Sequence, residues 1–155
     1  MMSIKVIQHN VLHWQTRKNE LCNTYTHHNP DIILINSHGL ADNERLKIFP
    51  FNIYQRNKSG DSPDGVAIAI KRGTRHRILD DFDQEFLAVE IETSRGPIVV
   101  ATCYLPPRRP FLPYPDILRL LRLQMPVYLL GDLNARHREQ QRRQQYIQAN
   151  VRWPP

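Results

Sequence analysis

The sequence predicts an α/β domain, and three observations carry that prediction. Residues 32–35, 66–70 and 127–130 are short runs that are apolar at every position, the pattern of strands buried on both faces. A stretch with helical spacing, residues 16–29, separates the strand candidates at 4–10 and 31–36, as in a strand–helix–strand unit with parallel strands. The middle of the chain instead holds short strands divided by tight turns, which is antiparallel in character.

Taken in order, residues 4–10 are β-rich and form a strand ending at Asn10. Residues 16–29 suit a helix, with Thr16 as N-cap and a thin stripe of Leu21, Cys22 and Tyr25; Pro30 stops it. Residues 31–36 are a second buried strand that empties into Ser37-His38-Gly39. Residues 51–55 form a short strand, and the polar stretch 57–65 a surface loop. In 66–70 small alanines alternate with branched residues, as expected where one strand face lies close beneath another layer. Strands follow at 75–79, 86–92 and 97–104, with Ser94-Arg95-Gly96-Pro97 as the clearest hairpin turn. Prolines stiffen the loop at 105–110, and residues 115–123 form a short amphipathic helix with Pro115 and Asp116 in its first turn.

At 155 residues, 41% hydrophobic and 23% charged, the chain is long enough for one domain with a real core. Twenty-one Lys+Arg against fifteen Asp+Glu give a net charge of +6, which favours a polyanion such as nucleic acid over a neutral metabolite. Part of that excess lies near the C-terminus. Cys22 and Cys103 are far apart without CxxC spacing and read as reduced core thiols. No secretory signal appears and no apolar run is long enough for a bilayer, so a soluble, monomeric protein of the nucleus or cytoplasm is expected, with no membrane partner.

Residues 127–134 organise the chain. The apolar run breaks at Gly131 and then presents Asp132 and Asn134, which a period of two points in the same direction. Alone, these residues read more readily as a strand-ending turn than as a site. Asn10, the segment Asn36-Ser37-His38, Tyr104 and Asp132 with Asn134 all fall at ends of predicted strands, however, so one sheet edge could gather them. Other groupings are weaker. His9 and His13 straddle a strand end, where helical HxxxH spacing does not apply, and no cysteine or acid completes a zinc set. Asp80, Asp81, Asp83 and Glu85 lack the glycine of a calcium loop and read as a solvated turn.

The segments "QHNVLHW", "DIILINSHGL", "YLPPRRP" and "GDLNARH", in that order, resemble the endonuclease/exonuclease/phosphatase superfamily, and most nearly the endonuclease domain of non-LTR retrotransposons. The likeness covers about residues 4–137. It implies a four-layer α/β sandwich of the DNase I-like type and Mg²⁺-dependent (or Mn²⁺-dependent) hydrolysis of DNA, the nick priming a reverse transcriptase in a longer polyprotein. By motif, Asp132 would orient or deprotonate the attacking water, Asn134 and Tyr104 would hold the scissile phosphate, and Asn10 with Asp132 would support the metal site. Arg108, Arg109, Arg136 and His137 are the corresponding candidates for gripping DNA phosphates.

Two departures from the pattern stand out. Ser37 occupies the position where the superfamily carries a metal-binding glutamate, and the adjacent His38 is a softer ligand than Mg²⁺ prefers. Beyond His137 the acidic residue and the terminal Ser-Asp-His of the family have no counterpart, and residues 138–145 carry no apolar side chain. The sequence thus divides into a partial domain, 1–137, whose second sheet lacks its C-terminal strands, and an Arg/Gln-rich tail, 138–155. The resemblance then implies impaired catalysis, or a catalytically dead relic that serves as a basic nucleic-acid-binding module.

Overall fold

The computed structural model describes residues 3–57, 65–80, 82, 85–105 and 114–133. Their elements are β1 (Val6–Asn10), α1 (Trp14–His28), β2 (Ile32–Asn36), β3 (Phe51–Arg56), β4 (Val66–Lys71), β5 (His76–Leu79), β6 (Phe86–Thr93), β7 (Gly96–Cys103), α2 (Tyr114–Leu121) and β8 (Val127–Leu129). They build two four-stranded sheets, one in the order β1-β2-β4-β3 and the other β5-β6-β7-β8.

Each sheet has a parallel pair at one end, β1 with β2 and β7 with β8, and antiparallel pairs elsewhere. The parallel pairs are the two crossings made through a helix, α1 and α2. The antiparallel β6–β7 pair turns through Ser94 and Arg95, with Thr93 opposite Gly96 and the glycine at φ 107. That turn and the strand–helix–strand unit follow the sequence reading.

Alternation of side chains along each strand assigns the layers. In β2, Ile33 and Ile35 pack with Trp14, Leu21 and Tyr25 of α1, while Ile32 and Leu34 face the other sheet. A strand covered on both sides has no polar face, which is why this run is apolar throughout. In β4, Ala67 and Ala69 lie toward α1, leaving room for the helix, and Val66, Ile68 and Ile70 fill the space between sheets. Leu87, Val89, Ile91, Ile98 and Val100 meet them from the second sheet. On that sheet's outer face Phe86, Ala88, Val99, Ala101 and Cys103 pack against Leu120 of α2. The result is four layers: helix, sheet, sheet, helix.

Helix α1 begins three residues earlier than an N-cap at Thr16 would set it. His13 is its N-cap and makes no side-chain cap, whereas Thr16 lies inside the first turn and donates its hydroxyl to the His13 carbonyl at 3.1 Å. The start is set by tertiary pairing instead: the Trp14 N–H donates to the His38 carbonyl at 2.9 Å. At the other end Asn29, in the left-handed region before Pro30, donates its N–H to Tyr25. No helix among the described residues is long and apolar enough to cross a membrane.

Candidate active site

The site arises where four strands change character together. The side chains that face the opposite sheet are apolar along most of each strand: Val6 in β1, Ile32 and Leu34 in β2, Ile98 and Val100 in β7, and Tyr128 in β8 with Leu130 just beyond it. At the carboxyl ends the same faces turn polar, with Gln8 and Asn10, Asn36, Thr102 and Tyr104, and Asp132. Because both strand pairs are parallel, those four ends meet at one rim of the cleft between the sheets.

Asn10 donates its Nδ2–H to Asp132 Oδ2 at 2.5 Å, the contact that closes the rim across 122 residues of sequence. A charged acceptor makes this bond stronger than a neutral one and fixes the rotamer of the carboxylate. Asp132 is held from below by its own backbone: its N–H donates to the Cys103 carbonyl at 3.2 Å and its carbonyl accepts from Leu105 N–H at 2.9 Å. These bonds extend the parallel register to an isolated bridge between Tyr104 and Asp132, so both side chains leave neighbouring strands on the same face. Tyr104 is buried and its ring joins the inter-sheet core.

A second polar tie sits beneath this pair. Buried Asn36 donates to Thr102 Oγ1 at 3.0 Å and to the Cys103 carbonyl at 3.3 Å, and its Oδ1 accepts from Gln8 Nε2 at 2.5 Å. It bonds one sheet to the other where the apolar core ends.

Ser37 follows at φ 57, fully buried. Among the described residues, its Oγ and the Asn10 Oδ1 are buried oxygens without a hydrogen-bond partner. Such atoms are costly unless something polar joins them. His38, in contrast, is fully committed. Its Nδ1 accepts from Leu40 N–H at 3.1 Å, so its Nε2 carries the proton and donates to the Arg56 carbonyl at 3.1 Å. Burial holds its pKa below the ordinary value, which keeps the ring neutral. His9 turns away from the rim toward the Tyr25 hydroxyl, 3.3 Å from its Nδ1. Among the described residues no three His, Cys, Asp or Glu side chains group as a metal set.

The structure therefore brings Asn10, Tyr104 and Asp132 together and sets Ser37 directly after Asn36 at the end of β2. Asn134, Arg108, Arg109, Arg136 and His137 lie outside the described residues, as do Asp81, Asp83 and the tail. Gln8 and Thr102 escaped the sequence reading. Their signal was a polar residue on the inward parity of an otherwise apolar strand.

Known proteins repeat this architecture. The endonuclease domain of TRAS1, a telomere-specific non-LTR retrotransposon, superposes with a TM-score of 0.69 at 20% identity over 87% of this chain and 61% of its own. The catalytic domain of Xenopus laevis APE2 gives 0.63 at 18% identity over 87% of this chain and 60% of its own. In sequence, the RNA-directed DNA polymerase from mobile element jockey of Drosophila funebris is 25% identical over 114 residues, 71% of this chain and 12% of that protein. The probable RNA-directed DNA polymerase from transposon X-element of Drosophila melanogaster is 28% identical over 144 residues, 88% of this chain and 16% of that protein. This chain thus spans less than a fifth of those curated relatives. The sequence signature of the Endonuclease/Exonuclease/phosphatase family matches residues 7–154, nearly the full length, and the chain belongs to that family.

Proposed function

We propose that the chain is a DNA endonuclease domain that hydrolyses a phosphodiester bond, working beside a reverse transcriptase as its retrotransposon relatives' names suggest. The bond from Asn10 to Asp132 supports this most directly. It sets a carboxylate of fixed direction at a polar rim, beside Tyr104 on the neighbouring strand.

In this reading Asp132 takes a proton from the attacking water while Asn10 holds the carboxylate in line. Water adds across the phosphorus–oxygen bond, leaving a phosphate monoester and an alcohol. Tyr104 and Asn134 hold the phosphate, and Arg108, Arg109, Arg136 and His137 grip the flanking backbone. The donor set suits a loosely held hard cation such as Mg²⁺, which keeps several waters and uses one or two carboxylates plus substrate phosphate. Asp132 would supply the carboxylate, and the unpartnered oxygens of Asn10 and Ser37 the neutral donors. When bound, such an ion neutralises charge on the phosphate and the leaving oxygen.

Ser37 favours a second reading. A buried hydroxyl where the family pattern calls for glutamate leaves the set one charge short, as in a relic that binds DNA without turnover. Nicking of supercoiled plasmid separates the two. Wild type with Mg²⁺ is expected to nick, and Asp132→Ala to lose at least about a hundredfold of that rate, the scale of a removed general base. Folded wild-type protein that binds plasmid without nicking it would establish the relic.

A further inference from the structure

Leu12 is the one residue of the β1–α1 connection, residues 11–13, that exposes an apolar side chain to solvent. It lies two positions beyond Asn10 and is 57% exposed, between the fully buried Val11 and the nearly buried Trp14 at the start of α1. Exposure of a single leucine would by itself say nothing. Its backbone says more. Leu12 has φ 44 and His13 φ 71, both in the left-handed region that residues with a Cβ avoid.

The connection has no freedom to relax. Val11 N–H donates to the Asn36 carbonyl at 3.0 Å, His13 N–H to the Ser37 carbonyl at 3.1 Å, and Trp14 N–H to the His38 carbonyl at 2.9 Å. Arg17 Nη1 adds a bond to the Val11 carbonyl at 3.1 Å. Glycine at position 12 would meet this conformation without steric cost, and asparagine with little. The chain instead keeps a branched, uncharged side chain that is largely exposed. Strained residues that the surrounding structure holds in place gather at functional sites.

Leucine cannot bond a phosphate, so its complement on a nucleic acid is the apolar face of a base or deoxyribose. Resting on the nuclease reading above, we infer that Leu12 is a positioning residue. It packs against the nucleotide next to the scissile phosphodiester and sets that phosphate over Asp132. Apolar side chains set against or between base steps are an established means of holding DNA. The pinned backbone means that Leu12 is already in place before DNA arrives.

The test uses the full chain, a fluorescein-labelled duplex in Ca²⁺ to withhold cleavage, and the same duplex with 2-aminopurine at each position flanking the cut. Leu12→Gly relieves the backbone and is expected to raise the thermal midpoint. It should nevertheless weaken binding roughly tenfold, as for loss of a base-stacking side chain. The 2-aminopurine signal seen with wild type should disappear. Leu12→Met, apolar and of similar size, is expected to restore both, and Leu12→Asn, polar and suited to the backbone, to restore neither. Equal affinity and equal 2-aminopurine response in wild type, Leu12→Gly and Leu12→Asn would overturn the inference and leave the nuclease reading standing. Absence of DNA binding by folded wild type would overturn both.

Discussion

Gly131 decides where the carboxylate stands. A Cβ at this position would lie 2.2 Å from the Cys103 carbonyl oxygen and 2.9 Å from the Cys103 nitrogen, both of them backbone atoms that cannot swing aside. Gly131→Ala is therefore expected to lower stability by about 1–3 kcal/mol, the range for overpacking. A lower urea midpoint at unchanged slope would report it. The same shift should move Asp132 off Asn10, so that any nicking falls even where the protein stays folded. From sequence, Gly131 was visible only as the residue that ends a strand. That a neighbouring backbone passes so close depends on which strand lies alongside, and one segment does not carry that information. Asn10, Tyr104 and Asp132 were legible because each falls at the end of a segment that reads as a strand. Gln8 and Thr102 were not, because their reason is Asn36, which comes from elsewhere in the chain.

At the level of elements, β7 is covered on both faces, and its last residue shows what that burial does. Desolvation pushes the Cys103 thiol up to about 12, helped by the carboxylates of Asp116, Asp132 and Glu85. In the unfolded chain the thiol ionises near its ordinary value of about 8.5. Above that pH the unfolded state has lost a proton that the folded state keeps. The contribution is thus intact below about pH 8.5 and declines as pH rises toward about 12. Folded protein at pH 8 is expected to take up iodoacetamide at half-exposed Cys22 while Cys103 stays unmodified until denaturant is added, as peptide mass spectrometry would read. Equal labelling of both would contradict the burial of β7. The strands themselves were readable because full burial demands an unbroken apolar run. The start of α1 was not: Thr16 has a capping side chain, yet the main-chain bond from Trp14 to His38 sets the boundary, and a tertiary contact outweighs a local preference.

At the level of the whole molecule, the two sheets are held by apolar contact along their length and by Asn36 at the rim. Asn36→Ala would take a hydrogen bond from the fully buried Thr102 hydroxyl and from the part-buried Gln8 amide, while the Cys103 carbonyl would keep the Asp132 N–H. The expected loss is about 1–3 kcal/mol, which for a chain of this size lowers the thermal midpoint by on the order of 5 °C. A calorimetric scan checks it, and an unchanged midpoint would mean that the apolar faces alone hold the sheets. Apolar runs declared strands with two covered faces without saying what covered them; the four layers came from the resemblance of whole motifs. The order of assembly follows from a plainer fact. The first sheet uses residues from Val6 to Lys71 and the second residues from His76 to Leu129, so each half of the chain builds one sheet. Asn10 and Asp132, 122 positions apart, meet only across that division. A ribosome completes the sheet that carries the amide before it has made the strand that carries the acid, so the bond between them can form only once the second sheet has docked on the first.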